Sequence, residues 1–128
     1  MGLERRHERG QGLTEFALIL PLLVLIGMGV LDFGRLYVDY TTVANAAHEA
    51  AVCVAEGSAL CPGGADGAAA TEITSTLPGG VTTSVTGAGG GSGGTVSVTV
   101  THTFQPLTGA VVGAGSFPVR ATASVVIP

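Results

Sequence analysis

The chain has no tryptophan and no lysine, only two tyrosines and four phenylalanines, and charged residues fill just 11% of its 128 positions. Without large aromatics, a core has to be small and built mainly from valine, alanine and leucine. Cations are nearly absent beyond the first ten residues: from Gln11 onward only Arg35 and Arg120 stand against seven acids. That balance excludes the cationic surface that nucleic-acid binding needs to neutralise phosphates. The length leaves room for one anchor and one folded module, with no second domain.

What is present is concentrated at the N-terminus. Arg5, Arg6 and Arg9 precede a 16-residue uncharged run from Phe16 to Leu31. At 1.5 Å per residue this run spans about 24 Å, short of a hydrocarbon core of about 30 Å. A transmembrane segment of about residues 14–36 therefore borrows Leu13 and Thr14 at one end and the Asp32–Tyr37 region at the other. Arginines before the run and few cations after it place the N-terminus in the cytoplasm and the rest outside. Glu15 stands at the mouth of this run, where a carboxylate is penalised unless it finds a partner.

Other targeting arrangements compete with a processed anchor. A secretory signal peptide would use Arg5–Arg9 and cleave after Ala44-Asn45-Ala46, but the run is long for it and a polar stretch separates the two. Arg5-Arg6 lacks the flanking consensus of a twin-arginine signal. A plain uncleaved anchor, with Glu15 merely interfacial, stays open.

Helix is expected from near Leu13 to Glu56, roughly 45 residues and about 65 Å, stopping at Gly57. Its first half is apolar all round. Its second half is amphipathic, with Leu36, Tyr37, Tyr40, Val43, Ala44, Ala47, Ala50, Ala51 and Val54 on one stripe. Asp32, Arg35, Asp39, Thr42, Asn45, Glu49 and Glu56 fall mainly on the other side, where Arg35 reaches both Asp32 and Asp39. Pro21 removes a backbone donor and predicts a kink or local unwinding near residues 17–20. Gly27 and Gly29 soften the helix or admit close approach of another one.

Beyond Gly57 the texture changes. Ala68–Leu77 has the composition of a short second helix, Val81–Val85 alternates as a strand, and Gly87–Gly94 is a flexible loop that lacks the lysine and spacing of a phosphate loop. Thr95–Phe104 is the clearest strand, with Val96, Val98, Val100, His102 and Phe104 on one face. Pro118–Ile127 repeats the pattern with Val119, Ala121, Ala123, Val125 and Ile127. An apolar sheet face needs a cover, and the long helix supplies it. The expected fold class is α+β: a long N-terminal helix on a small three-stranded antiparallel sheet.

Cys53 and Cys61 lie outside the membrane in this orientation, where oxidation is permitted. A disulfide, free thiols and a metal site are the alternatives, the last short of ligands because His48 lies off the helical face of Cys53. No nucleophile motif surrounds His48 or His102, His7 lies in the first ten residues, and Asp32 and Asp39 flank Arg35 as a charge cluster. Neither enzymatic activity nor a cofactor is expected.

The segment from Arg9 to Leu23, reading RGQGLTEFALILPLL, resembles the start of TadE-like proteins, minor pilins or pseudopilins of tight-adherence (Flp-type) systems. Asp32-Phe33-Gly34-Arg35, the alanine-rich Val43–Ala51, and Val96–Phe104 followed by Pro106-Leu107-Thr108 resemble that family too. The resemblance implies a pilin-like fold, a leader at residues 1–10, a spine helix at 11–57 and an extracytoplasmic α+β module at 58–128. It further implies cleavage between Gly10 and Gln11 by a prepilin peptidase, with Glu15, followed by Phe16, meeting a neighbouring subunit's new amino terminus during assembly. The implied partners are that peptidase, other pilin or pseudopilin subunits and the lipid bilayer. The implied location is the bacterial inner membrane, single-pass, or a pilus at the cell surface.

Overall fold

The computed structural model describes residues 5–57, 61, 63–74, 81–86 and 92–128, with side chains described from Gly10 onward and not for 66 and 72–74. Helix α1 (Arg5–Glu56) runs 52 residues, longer than expected because it begins before Leu13. It is helical through Pro21, so no unwinding appears at residues 17–20. A helix embedded in an apolar setting tolerates a proline where neighbouring geometry absorbs the lost bond. The stop is the expected one: Gly57 follows Glu56 with φ +94°, a conformation glycine adopts without a Cβ penalty.

Helix α2 (Gly64–Thr74) starts earlier than the expected Ala68, and residues 75–77 of that expectation lie outside the described ones. Three strands follow: β1 (Val81–Thr86), β2 (Thr95–Phe104) and β3 (Phe117–Val126). They form one antiparallel sheet in the order β1-β2-β3. Of the expected loop at 87–94, residues 87–91 are outside the described set; Gly93 and Gly94 bond back to Ile127 and lock the ends of β2 and β3 together.

The period-two pattern places the faces as expected. Val96, Val98, Val100, His102 and Phe104 are all buried on β2, while Val119 is buried and Ala121, Ala123, Val125 and Ile127 are half-buried against the same core. On the outer face the register sets Ser97 opposite Ser124 and Thr99 opposite Thr122. Their hydroxyls pair at 2.8 and 2.7 Å, cross-strand contacts that stabilise the ladder modestly.

The second half of α1 covers the inner face. Val43, Ala46, Ala47, Ala50 and Ala51 are completely buried there, joined by Ala65 and Ala69 of α2. Alanine lets the helix backbone approach the valine-rich strands closely, which compensates for the missing aromatics. The stripe is rotated from the expected one: Tyr37 and Tyr40 are exposed, whereas Asp32 and Asp39 are buried. The core-facing line runs 32, 36, 39, 43, 46, 50, 53, an alternating four- and three-residue spacing that passes through both aspartates.

Candidate functional site

The N-terminal half of α1 is long and apolar enough to cross a membrane. Leu13, Phe16, Leu18, Ile19, Leu22, Leu23, Val24 and Ile26 are all exposed, so the fold leaves this segment uncovered. In water such a surface is far larger than a monomer tolerates; lipid or a bundle of like helices accommodates it.

Gly10, Gln11, Glu15 and Phe16 lie on this exposed helix. Nothing stands within 4 Å of where a Cβ on Gly10 would be, so the backbone there is open to approach. Thr14 Oγ1 donates to the Gly10 carbonyl at 2.8 Å, one turn back. The Gly10–Gln11 bond is helical here, and a protease needs it extended. Gly10 and Gly12 make local unwinding inexpensive, each about 1 kcal/mol less helix-favouring than alanine. Among the described residues Glu15 has no ion pair or hydrogen bond within the chain. Its carboxylate is available to a partner and unused by the fold.

A second constellation was not anticipated. Asp32, placed by its polarity on the outer side of the helix, is buried and grips the chain after β2. Its Oδ1 accepts the Leu107 N–H at 2.7 Å; its Oδ2 accepts the Thr108 N–H at 2.8 Å and the Thr108 hydroxyl at 2.7 Å. Arg35 Nη1 stands 3.6 Å from Oδ1, as the i,i+3 spacing predicts. Hydrogen bonds to a charged acceptor contribute about 1.5–3 kcal/mol each. Two segments that resembled the family separately, Asp32–Arg35 and Pro106–Thr108, thus meet in space across 75 positions.

Arg35 also lies over the Phe104 ring, 5.5 Å from its centroid, and Phe104 packs on Phe117 with centroids 5.3 Å apart. Its expected second partner, Asp39, turns inward instead: Asp39 Oδ2 is 3.8 Å from His102 Nε2. His102 sits on the central strand and is 4% exposed, and among the described residues its Nδ1 has no hydrogen-bond partner. The helical register that brings Val43 and Ala46 onto the sheet also carries Asp39 there. The sequence signal was available: extending the Val43–Ala46–Ala50–Cys53 series backwards lands on both aspartates.

Cys53 and Cys61 are joined in a disulfide, with Cα atoms 5.8 Å apart. The bond ties the end of α1 to the approach of α2, where Gly63 takes φ +88° and accepts the Gly67 N–H. Among the described residues no three His, Cys, Asp or Glu side chains converge as metal ligands.

Residues 10–52 match the family model described as TadE-like protein. No curated protein and no solved structure matches the chain.

Proposed function

We propose, starting from the match of residues 10–52 to the TadE-like family model, that the chain is a minor pilin-like subunit of a tight-adherence pilus or secretion system, acting in pilus assembly and adhesion. It is made as an inner-membrane precursor with its arginine-rich end in the cytoplasm and its α+β module outside. A prepilin peptidase cuts after Gly10, and the mature chain begins at Gln11. Cutting creates an α-ammonium group about 6 Å along the helix from Glu15. In a stack of subunits, the ammonium of one chain and the Glu15 carboxylate of a neighbour neutralise each other in a setting that penalises both. The chain binds and assembles; it turns over no substrate.

The observation that carries this reading is Glu15 itself, an exposed carboxylate at the head of an exposed apolar helix, with no partner among the described residues. The fold gives it nothing to do, and an intermolecular partner does. Two variants separate its role from that of the cleavage site. Gly10→Leu accumulates uncut precursor in the membrane fraction. Glu15→Ala is cut normally but is depleted from sheared surface fibres. Normal incorporation of Glu15→Ala contradicts the charge-pair role, while normal processing of Gly10→Leu points to an uncleaved anchor whose outer module binds a partner without polymerising.

A further inference from the structure

The connection between β2 and β3 is far longer than a tight hairpin requires, and it does not extend outward with the sheet. Asp32 holds its start on α1, and the short helix α3 (Gly109–Val112) follows at once. Val111 lines an apolar groove of about 260 Å³ with Leu20, Pro21, Val24, Leu25 and Met28. Those five residues lie roughly 6–18 Å along the helix axis from Asp32 toward the N-terminus. The tip therefore reaches back alongside the uncovered apolar segment.

We infer that this β2–β3 tip, residues 107–113, is a second membrane element, seated in the outer leaflet beside α1 with a lipid acyl chain filling the groove between them. Three independent properties of the tip support lipid as the occupant. From Gln105 to Pro118 there is no charged residue. Its apolar side chains are uncovered: Val111 is 64% exposed, Val112 58% and Leu107 46%.

The third property is the hydrogen-bonding of its backbone. Hydrocarbon penalises each backbone N–H left without an internal acceptor. Every N–H from Leu107 to Gly113 has a partner. Leu107 and Thr108 donate to Asp32. Gly109 donates to Pro106, Ala110 to Leu107, Val111 and Val112 to Thr108, and Gly113 to Gly109. A solvent-facing loop has no need for such completeness, since water serves it. The Asp32 carboxylate thus supplies acceptors for the two N–H groups just ahead of α3, which find no backbone carbonyl. Gly113 closes the turn at φ +76°, and a Cβ on Gly109 would collide with the Ala114 carbonyl.

The inference rests on the reading of α1 as a membrane span, and its test keeps the two apart. The chain has no tryptophan, so single tryptophans report without background. Val112→Trp, Leu22→Trp and Ser84→Trp, all at exposed positions, are made in the full chain. Each is reconstituted in phosphatidylcholine vesicles with and without bromine along the acyl chains. The inference predicts strong quenching of Val112→Trp by brominated lipid, close to that of Leu22→Trp. It also predicts weak quenching of Val112→Trp by aqueous acrylamide, with Ser84→Trp behaving oppositely to both. Quenching of Leu22→Trp but not of Val112→Trp overturns the inference and leaves the span intact. Absence of quenching at both positions overturns the span itself. Shielding of Val112→Trp from both quenchers, growing with protein density in the vesicle, assigns the groove to a second copy and also overturns it.

Discussion

Asp32 shows how much one side chain can organise in a chain with few charges. Its two oxygens receive three hydrogen bonds from Leu107 and Thr108 while Arg35 lies beside them. Removing the carboxylate leaves two backbone donors unserved at the edge of an apolar region, each worth about 1–3 kcal/mol. Asp32→Ala is expected to lower unfolding stability in detergent micelles by roughly 2–5 kcal/mol. Amide exchange should accelerate at Leu107 and Thr108, with little change in the middle of β2. A loss under about 0.5 kcal/mol, the range of an ordinary surface change, contradicts the role given to Asp32. The residue was visible in the sequence as part of Asp32-Phe33-Gly34-Arg35, but its donors are 75 positions away. Local spacing reveals a helical neighbour such as Arg35; it says nothing of a backbone amide from another element.

At the scale of elements, α1 carries two different surfaces on one continuous rod. The strands were legible because alternation of apolar with polar residues leaves only one way to face a core; Thr95–Phe104 obeys it throughout, and Val119–Ile127 does so except for the exposed Val126. The helix was harder. Tyr37 and Tyr40 count as apolar in a periodicity reading, yet they stand exposed, and the aspartates that count as polar are inside. Tyrosine is amphipathic and aspartate can be satisfied by hydrogen bonds, so hydropathy alone misassigns both. The continuity of α1 was legible, but the local unwinding expected near residues 17–20 does not appear, because proline's cost depends on surroundings that sequence does not display.

The junction at the end of α1 makes a separate prediction. The Cys53–Cys61 bond closes a short loop and holds α2 against the spine. Loop-closure arguments give such a bond about 2–3 kcal/mol. Cys61→Ser should lower stability by about that amount and speed amide exchange in α2 before the sheet. Equal exchange across α2 in the oxidised and reduced proteins contradicts this. Sequence placed the bridge ahead of free thiols and a metal site, since an outer location permits oxidation and too few ligands stand nearby for a metal, but spacing alone does not show that the two sulfurs meet.

Taken whole, the molecule is lopsided: an apolar rod with a small valine- and alanine-lined module at one end. The rod's uncovered surface needs lipid or neighbouring subunits, and its head bears a carboxylate with no partner among the described residues. The proposed assembly by way of a newly cut amino terminus would answer both needs with one reaction. The most direct test is the intact mass of the protein extracted from its native membrane or fibre. The account predicts a mature chain starting at Gln11, with residues 1–10 gone. A mass that retains the arginine-rich segment contradicts it.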